Sequence, residues 1–213
     1  MSKQKLYRRY AWWFDNTELH HDLKGKSIKG GISTSASQMI CFGINLLSTF
    51  ILARSLLPGD FGLIGMVTAF TGFAIIIQDM GLSTAVIQKE KITHRQVSNL
   101  FWVNILICIM ISLVFILASP LIVALYHHDV RLYPIIISYS IGIGIGGLAI
   151  QHNALMSRKM LFTDIAKANI FSTGISVIMG VAAAFLGMGY WALVILSLSG
   201  TTFNVLFLWM FCD

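Results

Sequence analysis

The sequence predicts an all-α protein, a polytopic transmembrane bundle of six helices. Three observations support this fold class: the composition, the lengths of the uncharged runs and the distribution of basic residues. Of the 213 residues, 56% are hydrophobic and 11% are charged, whereas a soluble domain carries about 25% charged residues. The mean hydropathy is +0.78. Because so little polar surface is left to face water, we expect lipid to be the main solvent of the chain.

The uncharged runs set the number of helices. A bilayer core about 30 Å thick needs about 20 apolar residues in a helix. Four runs between Lys29 and Arg158 supply one helix each. The longer run from Lys167 to Asp213 supplies two, joined by a turn at residues 187–189 that contains two glycines. The transmembrane domain is therefore expected to cover residues 30–213, with helices near residues 32–53, 61–79, 99–126, 133–151, 164–186 and 190–211.

The basic residues predict the orientation of the bundle. In a chain with six spans, thirteen of the fifteen Lys and Arg residues fall on one side, and only Arg54 and Arg131 fall on the other. Basic residues concentrate on the cytoplasmic side of membrane proteins, so both termini are expected in the cytoplasm. Since topology explains the positive charge, we expect no nucleic-acid partner.

Residues 1–29 are predicted to form an interfacial arm on the cytoplasmic leaflet. Residues 6–14 (LYRRYAWWF) mix aromatic rings with arginines. Aromatic rings settle at the level of the lipid headgroups, and arginines pair with anionic lipids. Membrane lipids are therefore expected partners of this arm, and a disordered tail is the alternative.

No pattern in the sequence predicts a catalytic residue, a cofactor or a metal site. Cys41, Cys108 and Cys212 lie in apolar stretches without CxxC spacing, so we expect them to be packing residues. The consecutive residues 127–129 (HHD) carry suitable metal ligands, but neighbours on a loop seldom converge on one ion, and a solvated loop is expected. The tripeptide GKS at residues 25–27 lacks the earlier glycine of the P-loop motif GxxxxGK[ST], and the GKT, HExxH and GxSxG motifs do not occur. The chain is not expected to be an enzyme.

The glycine-rich run at residues 142–147 (GIGIGG) lies inside the fourth predicted helix. No strand precedes it, which argues against a phosphate-binding loop. Gly142 and Gly146 have the GxxxG spacing that lets two helices approach closely. We expect this run to serve helix packing or to be a flexible point in a moving helix.

Polar side chains at membrane depth are the candidate binding residues, because burying them without a partner costs several kcal/mol. Gln38 and Asn45 are seven residues apart and share one face of the first helix, and Asn104 lies in the third helix. These amides either line a hydrated cavity or form hydrogen bonds between helices. Asp79 and Lys167 lie near the ends of spans, where a charged group can also reach the membrane surface.

Five segments of the sequence, taken in order, carry a family resemblance: residues 52–63 (LARSLLPGDFGL), 79–89 (DMGLSTAVIQK), 92–96 (ITHRQ), 101–104 (FWVN) and 187–194 (GMGYWALV). They resemble the Wzx-like oligosaccharide flippases of bacterial cell envelopes, and most closely their capsule and exopolysaccharide export branch. That family lies within the multidrug, oligosaccharidyl-lipid and polysaccharide exporter superfamily. The resemblance covers roughly residues 28 to 211.

The resemblance implies a transport function in the bacterial inner membrane. Members of the family have two lobes of six helices around a central cavity, and this chain would be the N-terminal lobe. The implied substrate is an oligosaccharide on polyprenyl diphosphate, which alternating access of the lobes carries outward. By this resemblance, Arg54 and Lys167 are the candidates for contact with the anion, Asp79 for ion coupling, and Gln38, Asn45 and Asn104 for cavity lining. No cofactor is implied.

The chain has the length of one lobe, which leaves two expectations. It is a fragment of a two-lobe protein, which we favour, or two copies associate to enclose a cavity. Three other functions stay open. A multidrug exporter needs an acidic residue deep in a helix, and a membrane-embedded enzyme needs paired carboxylates or a His/Asp set at one face. The third is a partner subunit that does not itself transport.

Overall fold

The computed structural model describes residues 23–79, 94–126 and 129–212, and within them it contains only helices as regular structure. Six helices are long and apolar enough to cross a membrane. This confirms the prediction of an all-α bundle with six spans. The helices are α1 (Leu23–Ser55), α2 (Pro58–Asp79), α3 (His94–Leu125), α4 (Leu132–Arg158), α5 (Phe162–Phe185) and α6 (Trp191–Cys212).

Helices α1 and α4 extend furthest beyond the limits predicted from the sequence. Helix α1 begins at Leu23, so residues 23–29 of the predicted arm continue the first span as helix. Residues 1–22, the rest of that arm, lie outside the described residues. Helix α4 was predicted to end near residue 151 but continues to Arg158, because residues 152–158 contain neither glycine nor proline to interrupt it.

The same hydrogen-bond pattern ends both α4 and α5. At the end of α4, the Leu161 N–H donates to the Met156 carbonyl at 3.0 Å, and Met160 takes a positive φ of 57°. At the end of α5, the Met188 N–H donates to the Ala183 carbonyl at 3.2 Å, and Gly187 has a φ of 76°. These are Schellman caps, in which a left-handed residue turns the chain back sharply. The predicted turn at residues 187–189 is built in this way.

Small residues decide which helices pack together. Helix α5 packs against α1 and α6, and α4 packs against α2, α3 and α6. On Gly180 of α5, an added Cβ would lie 2.7 Å from the Leu196 side chain of α6, so only glycine permits this approach. On Gly142 of α4, an added Cβ would lie 3.1 Å from Leu198 of the same helix α6. Close backbone approach at small residues is the usual basis of helix association in lipid.

Two apolar clusters pack one end of the bundle. We call this the tight-turn end, because α1 meets α2 at residues 56–57 there and α5 meets α6 at residues 186–190. One cluster joins α2, α3, α4 and α6 around Val67 and Ile136, and the other joins α1, α5 and α6 around Leu52 and Ala184. The opposite end, where α1 begins, is called the N-terminal end.

The outer faces of the helices carry large apolar side chains. Phe42 on α1 is 65% exposed, Leu117 on α3 is 68% exposed and Met210 on α6 is 69% exposed. A water-soluble protein would bury most such residues, whereas a lipid environment solvates them. The chain is therefore a multi-pass membrane protein.

Candidate functional site: a polar groove within the membrane-spanning bundle

Polar side chains at membrane depth line two adjoining cavities. The first, of about 530 Å³, lies between α1, α4, α5 and α6, and the second, of about 420 Å³, lies between α2, α4 and α6. Gly146, Ser197 and Thr201 line both of them. We call the two cavities together the polar groove.

The groove exists because α1 and α2 pack on different partners. The two helices follow each other at the tight-turn end, but α1 packs mainly on α5 while α2 packs on α4. The seam between α4 and α6 forms the floor between them. The first cavity is bounded on one side by α1 and the second by α2.

Helical spacing brings the polar side chains to this surface. Gln38, Cys41 and Asn45 of α1 recur at intervals of three and four residues, as do Ser197, Thr201 and Asn204 of α6. Residues at these intervals share one face of a helix. From α5 the groove receives Asn169, Ser172, Thr173 and Ser176.

An amide pair joins α5 and α6 inside the groove. Nδ2 of Asn204 donates to Oδ1 of Asn169 at 2.8 Å, and Ser172 Oγ lies 3.4 Å from the same nitrogen. Beside this pair, Thr173 Oγ1 lies 3.6 Å from the Cys41 sulfur of α1. Within the described residues, no protein group bonds to Asn169 Nδ2 or Asn204 Oδ1. One donor group and one acceptor thus stay available to a ligand.

No charged side chain lines the groove in the described part of the chain. Lys167 is held outside it, with its Nζ 2.9 Å from Oδ1 of Asp164 in an exposed ion pair. Arg54 lies at the far end of α1, where its guanidinium stacks 4.7 Å above the centre of the Phe50 ring. The two predicted anion contacts therefore lie at opposite ends of the bundle, away from the groove.

The other predicted site residues are divided between the groove and the packed interior. Gln38 and Asn45 line the groove. Asn104 is fully buried instead, and its Nδ2 donates to the Gly147 carbonyl of α4 at 3.2 Å. Asp79 is the last residue of α2, and its side chain lies outside what the structure describes.

Several groove residues did not stand out in the sequence. Asn204, Thr173, Ser197 and Thr201 sit in long apolar runs, where isolated hydroxyls and amides are common. The spacing of Ser197 and Asn204, seven residues apart like Gln38 and Asn45, is the signal that could have identified them. The spacing alone does not show which helix faces pack against each other.

The candidate metal ligands in the α3–α4 connection are only partly described. Asp129 accepts hydrogen bonds from Arg131, from Nε at 3.0 Å and from Nη2 at 2.8 Å. The guanidinium holds the pKa of the Asp129 carboxyl below its usual range. His127 and His128 lie outside the described residues, and among the described ones no group of three His, Cys, Asp or Glu is placed to hold a metal.

Comparison with protein-family profiles matches residues 51–213 to the family described as polysaccharide biosynthesis protein. Among curated proteins, the chain is 33% identical over 163 residues to an uncharacterized membrane protein in the cps region of Klebsiella pneumoniae, covering 75% of this chain and 33% of that protein. It is 29% identical over 153 residues to the succinoglycan biosynthesis transport protein ExoT of Rhizobium meliloti (strain 1021), covering 71% of this chain and 31% of ExoT.

A third relative is the lipopolysaccharide biosynthesis protein WzxC of Escherichia coli (strain K12). The chain is 25% identical to it over 182 residues, covering 85% of this chain and 36% of WzxC. The chain thus spans about a third of the length of the curated relatives it matches. No solved structure matches it.

Proposed function

Because the chain belongs to the polysaccharide biosynthesis protein family, we propose that it is part of a flippase for lipid-linked oligosaccharides. The substrate is an oligosaccharide on polyprenyl diphosphate, moved from the inner to the outer leaflet of the bacterial cytoplasmic membrane for surface polysaccharide synthesis. The observation that carries this proposal is the polar groove inside a bundle whose outer faces are apolar.

The groove solves the physical problem that such a substrate poses. Sugar hydroxyls lose their hydrogen bonds to water in hydrocarbon, and each unsatisfied polar group costs several kcal/mol. Side chains such as Gln38, Thr201 and Asn204 replace those hydrogen bonds at membrane depth. The polyprenyl tail stays in the surrounding lipid throughout.

A second bundle completes the cavity in this proposal. The groove has helices on its floor and on two sides, and a facing unit is needed to exclude lipid from the sugars. That unit is either a further lobe of a longer protein or a second copy of this chain. The chain spans about a third of its relatives' length, which supports a further lobe. Alternating access then follows from rocking of the two units.

The charged residues act at the two membrane surfaces in this scheme. With both termini in the cytoplasm, Lys167 lies at the inner end of the bundle and Arg54 at the outer end. A diphosphate attracts cations, so Lys167 is proposed to meet it before transport and Arg54 after it, with Asp79 as the candidate for ion coupling. Full transport activity of the Arg54→Ala variant would contradict the proposed role of Arg54 in contact with the diphosphate.

The groove gives less support to a cation-coupled multidrug exporter. Such a transporter needs a carboxylate facing its cavity, and the described groove residues are amides, hydroxyls, one thiol and small or apolar groups. ExoT is named as a transport protein, which supports transport over catalysis for this chain.

A bulky substitution in the groove tests the proposal. We expect Thr201→Trp, at the junction of the two cavities, to lower surface polysaccharide about tenfold or more in a host lacking its own flippase, because the indole fills the groove. The host expresses each variant as the full-length protein that the gene encodes. Antibody binding to the cells measures the surface polysaccharide. Leu206→Trp, on the lipid-facing side of the same helix and 50% exposed, is the matched control. Equal restoration by both variants, at equal amounts in the membrane, contradicts the proposal.

A further inference from the structure

Helices α3 and α4 bury a pair of amides that do not line the polar groove. Asn104 of α3 is fully buried and donates from Nδ2 to the Gly147 carbonyl of α4 at 3.2 Å. Gln151, about one helical turn further along α4, is 2% exposed. A helical carbonyl points toward the residue four positions later, so the Asn104 amide lies against the turn that carries Gln151. We call Asn104 and Gln151 the buried amide site.

Both residues of the buried amide site have atoms without a protein partner. In the described part of the chain, neither Nε2 nor Oε1 of Gln151 forms a hydrogen bond, and Oδ1 of Asn104 forms none. All three atoms are closed to solvent, so a facing unit that covers the groove does not reach them. A buried polar group without a hydrogen bond destabilises the folded state, and a bound water or ion can supply the missing bond.

The pattern of donors and acceptors identifies the ligand. Two free oxygens accept hydrogen bonds, and one free amide nitrogen donates them. Water both donates and accepts, and a buried water typically makes about three hydrogen bonds. A metal cation fits less well, because the N–H groups of Gln151 repel it and because Ca²⁺ or Mg²⁺ takes about six oxygen ligands or more.

We infer that Asn104 and Gln151 hold internal water between α3 and α4. The water donates to Oδ1 of Asn104 and Oε1 of Gln151, and Nε2 of Gln151 donates to water in turn. The amides thereby join the two helices through water, in addition to the direct bond from Asn104 to Gly147. The inference does not depend on the proposed function, since it concerns the α3–α4 interface alone.

The second cavity of the polar groove lies beside this water site. Gln78 lines that cavity, and its Nε2 lies 3.8 Å from the position of a Cβ added to Gly147. Gly147 therefore stands between the groove and the buried amide site. Because its missing side chain leaves the backbone open, the polar lining of the groove continues past it into the interior of the bundle.

X-ray footprinting of the full-length protein in nanodiscs tests for the water. Radiolysis converts bound water into hydroxyl radicals, which oxidise the side chains next to it. Cys108 is the reporter, since it is fully buried and lies against Gly147. Met156, fully buried in an apolar cluster, is the matched control. Relative to the free amino acids, we expect Cys108 to be oxidised several times faster than Met156.

The Gln151→Leu variant should bring the relative oxidation of Cys108 down to that of Met156, because the water loses an amide that holds it. Equal relative oxidation of the two sulfur atoms in the unmodified protein overturns the inference. Unchanged oxidation of Cys108 in the variant overturns it as well. Neither result bears on the proposed function, which surface polysaccharide decides.

Thermal unfolding separates bound water from an amide that has no ligand. With water bound, we expect Gln151→Leu to lower the unfolding temperature by about 3 °C or more, because Oδ1 of Asn104 loses its partner. Without a ligand, leucine would remove an unpaired polar group and raise that temperature. Asn153→Leu, exposed on the same helix, is the matched control and should leave it unchanged. A higher unfolding temperature for Gln151→Leu overturns the inference.

Discussion

Single glycines of the run at residues 142–147 have different surroundings, although the sequence predicts one shared role for them. Gly142 faces Leu198 of α6, and Gly146 lies between Gln78 of α2 and Thr201 of α6. Gly147 lies outside that spacing and makes the closest approach, because an added Cβ would lie 2.6 Å from the Cys108 sulfur of α3. Gly144 faces open space. The contacts around each glycine, rather than the residue type, therefore decide how much stability a substitution costs.

This difference leads to a prediction about stability. Gly147→Ala should lower the free energy of unfolding by about 1–3 kcal/mol, because the new methyl group forces Cys108 and α3 to shift. Gly144→Ala, three residues earlier in the same helix, should leave stability unchanged or raise it slightly. Thermal unfolding in detergent, followed by tryptophan fluorescence, measures both. Equal unfolding temperatures of the two variants would contradict the prediction.

At the scale of the elements, two buried amides fasten helix α4 to its neighbours. Gln78 of α2 donates from Nε2 to the Ile143 carbonyl at 2.9 Å, and Asn104 of α3 donates to the Gly147 carbonyl at 3.2 Å. Both acceptors lie in the glycine-rich run of α4, where missing side chains expose the backbone. The sequence left Asn104 open between cavity lining and helix–helix bonding, and in the structure it has the second role.

Removing the hydrogen bond from Gln78 to α4 should weaken the packing of α2 on α4. We expect Gln78→Met to lower the free energy of unfolding by about 0.5–1.5 kcal/mol, since it keeps the length of the side chain but loses the bond to Ile143. Gln38→Met is the matched control, because Gln38 is exposed in the groove. That variant should keep full stability and lose transport. A stability loss of the same size in both variants would show that Gln78 has no special bond to lose.

At the scale of the whole molecule, five of the six described helices border the polar groove, and α3 packs outside it. The strongest contacts run from α1 through α5 and α6 to α4 and then to α3. Apolar clusters pack the tight-turn end of this arrangement, and two smaller ones pack the N-terminal end. The proposed orientation places the tight-turn end outside the cell.

Labelling of single cysteines tests this orientation. In a variant whose native cysteines are replaced, we expect Leu186→Cys, 79% exposed in the α5–α6 turn, to react with a membrane-impermeant maleimide in intact cells. Thr163→Cys, exposed near the start of α5 at the opposite end, should react only after the cells are opened, because basic residues near it favour the cytoplasm. The reverse pattern would invert the proposed topology.

Particular residues show how much of the candidate site could be predicted from the sequence. The face shared by Gln38 and Asn45 could be predicted, because helical spacing fixes it locally, and both residues line the groove. Arg54 and Lys167 were chosen for their charge and family resemblance, and neither lies in the groove. The partnership of Asn169 with Asn204 could not be predicted, since the two are 35 residues apart and meet only when α5 packs on α6.

The sequence by itself determined the membrane environment, the all-α class and the number of spans. These follow from the hydrophobicity and length of each run, which are properties of a segment alone. Only the tertiary structure decided which helices are neighbours, where α1 and α2 separate, and that the described residues lining the groove between them carry no charge. The physical reason is that helix pairing in lipid depends on the close fit of small residues from distant parts of the chain, such as Gly180 against Leu196.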